Sequence, residues 1–303
     1  MATMSGHNRK TTIRAEETAR KTSAARLSIF VAAFLILLKT STGFLTGSIS
    51  VWASVLDSST DLIASIVNLI VVHAAARPAD EDHAYGHGKA ESLGSLFQSL
   101  AIAASGIFLI YEAVRRLIVP HEMQSGAVGV AAMIVAILVS LLLAARLKKV
   151  ARETESPALE SDAAHYSIDV YTTAGALLAL LITTLTDWKA ADSIISIVIS
   201  VYILWSAVSV ARESIDVLMD RYLGFDVGEL VAHVVNDFEE KGVRGFHELR
   251  TRRSGSQKFI DLHLEVDRHK TFQEAHDLTV TVIHEIEAQV PRARVHIHTD
   301  PAD

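Results

Sequence analysis

Two acidic side chains, Asp57 and Asp61, stand in the stretch LDSSTDL, between the apolar segments SISVWASV and IASIVNLIVV. A carboxylate at the centre of a bilayer costs roughly 2.5–3.5 kcal/mol on insertion scales, so two together demand a compensating partner. Four residues apart on a helix, they share one face at about 6 Å along the axis. Like charges so placed repel unless a cation lies between them or one holds a proton. A second apolar run, ALESDAAHYSIDVYTTAGALLALL, carries His165 and Asp169 at the same spacing. Two facing helices would then converge three carboxylates and an imidazole. That mixed oxygen and nitrogen set suits a divalent transition metal and can form a tetrahedron around zinc. The other readings are a span that ends early at these residues or a helix cap, with Asp57 near enough the start of its run to reach the interface. The recurrence of the spacing in a second run favours the metal. Asn68, further along the first run, is read as structural.

A second group follows in RPADEDHAYGHGKAESL, where Asp80, His83 and His87 fall at i, i+3 and i+7, with Gly86 and Gly88 around the last. Three ligand types within eight positions could hold one metal with water completing the shell. Spacing alone leaves this open against a solvated histidine-rich loop.

These side chains must be positioned by membrane helices. Half of the 303 residues are hydrophobic, and the apolar ones gather into six runs at about 26–47, 50–74, 92–116, 126–146, 160–184 and 189–211, each near the ~20 residues that span a bilayer. No cysteine occurs, which excludes a disulfide framework and any thiolate metal site. The first 26 residues are polar and basic without an apolar core, so no cleavable signal is expected. In a polytopic membrane protein the net charge of −7 carries no nucleic-acid signal, and no such partner is expected. Arg9, Lys10, Arg14, Arg20, Lys21 and Arg26 precede the first run; Arg77 and Lys89 follow the second, and Arg146, Lys148, Lys149 and Arg152 the fourth. The connections TGSIS and TDWKAAD are nearly uncharged, so both termini are expected in the cytoplasm. Arg115 and Arg116 are the contrary signal.

Together, DSSTD, GHGKAESL and HYSIDVYT resemble the cation diffusion facilitator family, most closely its bacterial zinc and ferrous-iron exporting branch. The resemblance covers nearly the whole chain. It implies a homodimeric, proton-coupled exporter of divalent transition metals in the bacterial inner membrane. The transport site would fall on Asp57, Asp61, His165 and Asp169, and a loop site on Asp80, His83 and His87. It further implies a charge lock between Lys89 and Asp220, and a cytoplasmic site for two metals near the dimer interface on His247, His263, His276, His298 and Asp300.

From about Asp220 the pattern becomes that of a soluble domain. FDVGELVAHVVNDFEEKG reads as a helix, FHELRTRRSG and SQKFIDLHLEVD as two strands about a Gly-Ser turn, TFQEAHDLTVTVIHEIEAQV as a helix and ARVHIHTDP as a strand. The expected fold is thus a six-helix membrane domain followed by a cytoplasmic, metallochaperone-like α-β-β-α-β domain. The expected divisions are an N-terminal arm at 1–25, the membrane domain at 26–212 and a metal-binding dimerisation domain at 213–303. Eight of the fourteen histidines fall in the last part; His298 and Asp300 alternate on a strand and share a face. His233, His269, His284 and His296 are read as solvated or packed.

Metals and protons compete for deprotonated carboxylates and imidazole, which suits exchange of a cytosolic cation for outside protons. One imidazole among the oxygens favours zinc, with cadmium, ferrous iron, cobalt or manganese as companions, and the lack of cysteine disfavours cuprous copper. An enzyme is not expected, because four protein ligands leave no open position for a catalytic water. A divalent-cation channel or a metal-sensing receptor are the alternatives. A tight four-ligand site holds its ion too firmly for rapid conduction.

Overall fold

The computed structural model describes residues 2–46, 49–118, 127–186, 188 and 190–303, with side chains described from Ala15 onward except at 46, 49–51 and 53. Arg9, Lys10 and Arg14, the TGSIS connection, and Asp187 and Lys189 of the later one therefore lie outside the described side chains. The order is α1 (Ala2–Thr46), α2 (Ile49–Ala75), α3 (Lys89–Ile118), α4 (Ala127–Thr154), α5 (Pro157–Thr186), α6 (Ala191–Leu218), α7 (Phe225–Asn236), β1 (Val243–Ser254), β2 (Gln257–Asp267), α8 (Phe272–Gln289) and β3 (Ala293–Ala302). Helices α1 to α6 are long and apolar enough to cross a membrane. The chain forms two compact units, Met1–Ile215 and Asp216–Asp303.

Helix α1 runs unbroken through the region expected to be a separate arm. RAEETARK is built of strong helix formers, and no proline interrupts it before the apolar stretch begins. Helix α6 continues past 212 to Leu218, and the chain closes it with Asp220 in the left-handed conformation (φ 58°).

In the first unit α1, α4 and α5 share a core of Ala24, Ala25, Leu143, Ala144, Leu147, Val150, Ala151, Leu159, Ala163 and Tyr166. Small residues let the backbones approach, as membrane helices require without a hydrophobic drive between them. Helix α6 packs its Ile203 and Ala207 against Ile102 of α3 and Ile168 of α5. At Gly175 of α5 a Cβ would stand 2.1 Å from Ile199 Cδ1, so that crossing depends on the missing side chain. Polar groups tie the helices where they are buried. Lys21 of α1 pairs with Glu91 of α3 at 2.7 Å, and Ser156 also donates to Glu91. Arg116, at the end of α3, bonds Glu112 at 3.0 Å and Asp192 of α6 at 3.1 Å. The contrary arginine is thus held in ion pairs.

In the second unit the sheet order is β1-β2-β3, with β1 antiparallel to β2 and β2 parallel to β3. The parallel pair needs a crossover, which α8 supplies. Ile260, Leu262, Leu264 and Val266 alternate onto one face of β2 and pack against Val231, Val234 and Val235 of α7 and Val282 and Ile286 of α8. The intervening Asp261, His263, Glu265 and Asp267 point to the opposite face. The α-β-β-α-β order read from the pattern is the observed one, with a single 3₁₀ turn at Glu239–Lys241 after α7.

Candidate metal centres

Helices α2 and α5 bring together side chains 104 positions apart. His165 Nε2 lies 3.0 Å from Asp61 Oδ1 and 3.8 Å from Asp169 Oδ2. One ligand atom from each of the three falls within 4.8 Å of the others. Tetrahedral zinc with ligands at ~2.0–2.1 Å sets neighbouring ligand atoms roughly 3.3 Å apart. The observed separations bracket that value. The side chains of Asp61 and His165 are only 10% and 13% exposed, and Asp169 is 26% exposed. Asp57, one turn away on α2, is exposed and is not within this set.

The sequence reading missed the polar surroundings of this set. Asp162, one turn before His165 on α5, is buried and accepts from Ser28 Oγ at 2.7 Å. Tyr166 Oη donates to the Ser28 carbonyl at 3.2 Å and lies 3.0 Å from Ser65 Oγ, linking α5, α1 and α2. Asn68, already read from the sequence as structural, is buried on the same helix as Asp61. Lys39 of α1 donates to Ser58 Oγ at 2.6 Å and to the Ser54 carbonyl at 3.4 Å. A lysine within an apolar run was the available signal for the last, and an aspartate at i−3 from His165 for the first.

Between α2 and α3, Asp80 Oδ1 accepts the His83 backbone N–H at 2.8 Å and lies 3.3 Å from His83 Nδ1. His87 Nε2 is 3.4 Å from Asp80 Oδ2, and its Nδ1 is 3.2 Å from the Pro78 carbonyl. Gly86 takes a φ of 82°, which a side chain rarely allows, and so turns the chain between the two histidines. The His83 backbone N–H, then the two imidazoles, hold the Asp80 carboxyl below its ordinary range. His83 is well exposed.

On the open face of the sheet the register aligns His247 of β1, His263 of β2 and His298 of β3 abreast. All three approach one carboxylate: Asp300 Oδ2 lies 2.8 Å from His263 Nδ1 and 3.4 Å from His247 Nε2, and Oδ1 lies 3.3 Å from His298 Nε2. The β1 register shifts between His247 and Arg250, with Glu248 at φ 51°. Such a bulge re-aims neighbouring side chains. The hydrogen bond with His263, followed by the charges of His298 and His247, lowers the Asp300 pKa. His276 is not in this group; it is exposed on α8 and stacks on Phe272. His233, His269, His284 and His296 are exposed. Lys89 opens α3 in the first unit, and Asp220 of the second lies 3.8 Å from Arg252.

Residues 25–219 match the family model of the cation efflux transmembrane domain, and residues 227–302 that of the cation efflux protein cytoplasmic domain. The chain is 39% identical over 279 residues to the cation-efflux pump FieF of Serratia proteamaculans, covering 92% of each. It is 40% identical over 284 residues to FieF of Yersinia pestis, covering 93% of this chain and 94% of the relative. Among solved structures, the metal-bound C-terminal domain of the CzcD transporter from Thermotoga maritima is 31% identical, covering 25% of this chain and 88% of its own, with a TM-score of 0.24. With both family domains matched in order, and near-full-length pumps at about two residues in five identical, the chain belongs to the cation diffusion facilitator family: it is a multi-pass membrane transporter for the efflux of metal cations, and not an enzyme.

Proposed function

We propose that this transporter exchanges cytoplasmic divalent transition-metal ions, zinc foremost, for protons from outside, as a homodimer in the bacterial inner membrane with both termini in the cytoplasm. The observation that carries the reading is the meeting of Asp61, His165 and Asp169 from two membrane-spanning helices at ligand spacing. Asp57, one helical turn away on the same face of α2, is the fourth ligand and swings in when a dication arrives. Carboxylates and imidazole bind metal only when deprotonated, so protons arriving from outside evict the cation, and metal arriving from the cytosol evicts protons. His165 is the natural proton carrier of the four. Alternating access then amounts to rocking α2 and α5 with their cargo between the two sides.

The other two groups serve regulation in this reading. Asp80, His83 and His87 hold one cation at the membrane surface. His247, His263, His276, His298 and Asp300 hold two metals near the dimer interface, a reading supported by the meeting of His247, His263 and Asp300 on the open sheet face. Metal there tightens the dimer, and the pairing of Lys89 with Asp220 carries that change to the bundle. Zinc is favoured over an all-oxygen cation by the imidazole, with cadmium, ferrous iron, cobalt and manganese as companion cargoes.

Flux of zinc, cadmium, iron and manganese into proteoliposomes holding the full chain, with internal pH recorded, tests this. Zinc entry with counter-movement of protons is expected, and Asp61→Ala or Asp169→Ala should abolish both. Zinc entry that moves no protons would overturn the exchange, and flux undiminished in Asp61→Ala would overturn the site.

A further inference from the structure

Lys39 is a charged group near the transport ligands that the exchange described above leaves without a role. It lies inside α1, in an apolar stretch, and a lysine there normally extends along its stem to reach water. This one does not. Its ammonium turns onto α2, donating to Ser58 Oγ at 2.6 Å and to the Ser54 carbonyl at 3.4 Å. Ser58, itself buried, lies between Asp57 and Asp61 in the chain. The ammonium is within electrostatic reach of Asp57 on α2 and of Asp169 on α5. Among the described residues, the other charged or titratable groups facing this region are Asp61, His165, Tyr166 and, one turn along α5, Asp162 with its Ser28 partner.

The charges can be counted. With the ligands deprotonated, Asp57, Asp61 and Asp169 contribute three negative charges and His165 none. One dication leaves a net charge of minus one, and a membrane interior penalises even one uncompensated charge. Adding the Lys39 ammonium brings the sum over the dication, its four ligands and Lys39 to zero, with Asp162, tied to Ser28 one turn along α5, standing outside that count.

We infer that Lys39 is a built-in counter-cation of the transport site, held against α2 by Ser58 so that the site carrying one dication is electrically neutral when it crosses the membrane interior. This rests on the transport site proposed above and adds to it a fixed fifth charge that touches no metal. It has two consequences. Lys39 weakens metal binding, because it repels the dication, and so lets the cargo leave. It also frees the metal-loaded reorientation from the membrane voltage.

The test uses the full-length protein in proteoliposomes, with zinc on both sides and equal pH, and follows exchange of labelled zinc while a potassium gradient sets the voltage. In the unaltered protein the rate should change by less than about twofold over ~100 mV, whereas an uncompensated charge moving through the field would change it severalfold. Lys39→Met and Lys39→Gln should become voltage-dependent. Their zinc affinity, read at equilibrium in a background carrying His83→Ala and His263→Ala, should tighten by about tenfold, the scale of one nearby unit charge. Lys39→Arg, which keeps the charge, should restore both properties. Voltage-dependent exchange in the unaltered protein overturns the inference without any variant having to fold. So do Lys39→Met and Lys39→Gln proteins with unchanged affinity and voltage response. Asp61→Ala in the same background separates the two levels: if it still binds zinc, the transport site itself fails, and if it does not while Lys39 has no effect, only the counter-cation fails.

Discussion

Three of the four side chains proposed to hold the cargo already stand at ligand spacing, and the fourth does not. His165 is 3.0 Å from Asp61 and 3.8 Å from Asp169, while Asp57 is exposed one turn away. The cost of losing each ligand should follow that order. Asp61→Ala and Asp169→Ala are expected to weaken zinc binding at this site by about a hundredfold or more, and Asp57→Ala by about tenfold, because water can complete a three-ligand zinc site. Calorimetric titration of the full chain with loop and tail ligands removed checks this, and equal losses for Asp57 and Asp61 would show the order to be wrong. At the sheet face, Asp300 is bound by His263 and surrounded by His247 and His298, which lower its pKa. A carboxyl whose folded-state pKa is depressed stabilises the fold above its ordinary value, and that contribution is lost as pH falls through the folded-state value. Exchange protection of the β2 and β3 amides should therefore fall off below about pH 4, near the ordinary aspartate pKa. Asp300→Asn should flatten that dependence.

At the scale of elements, the order in which helices and strands follow one another matters less than what pins each one. Helix α8 opens with a complete capping box: Thr271 Oγ1 accepts the Glu274 N–H at 3.3 Å, and the Glu274 carboxylate accepts the Thr271 N–H at 2.8 Å. Thr271→Ala should lower the opening free energy of α8, measured by amide exchange, by about 1 kcal/mol. This helix is the crossover between the parallel strands β2 and β3 and carries His276, so its fraying should also weaken metal binding by the tail. In the membrane unit the corresponding pins are polar: the buried pair Lys21–Glu91 joins α1 to α3, and Arg116–Asp192 joins α3 to α6. Removing one partner of a buried pair strands a charge and typically costs about 3–5 kcal/mol. Glu91→Ala should therefore lower the thermal stability of the full chain in detergent, with less effect from Arg20→Ala at the exposed Arg20–Glu153 pair.

At the scale of the molecule, the proposed lock joins a residue of one compact unit to a residue of the other. Asp220 ends α6 in a left-handed turn and lies near Arg252, and Lys89 begins α3. If these two residues couple tail to bundle, Asp220→Ala should slow zinc flux while leaving zinc affinity at both sites within about twofold, since neither is a ligand. The reciprocal swap, Lys89→Asp with Asp220→Lys, should recover part of the flux. A flux loss fully explained by lower affinity would remove the coupling role. Dimer formation should strengthen with zinc and weaken in His263→Ala, as read by light scattering of the purified chain.

The six spans were legible because apolar runs near ~20 residues have few other uses, and the tail because its period switches from helix to strand. The i, i+4 pairs at 57/61 and 165/169 pointed to the proposed transport ligands for a local reason, since helical spacing fixes which residues share a face. What one-dimensional spacing does not contain is the distance between helices. Only packing decided that Asp57 stands outside the contact set, that Ser28 and Asp162 meet across 134 positions, and that Lys39 turns onto α2. The three histidines abreast on the sheet likewise follow from strand register, and register is a property of pairing between segments that no single segment encodes.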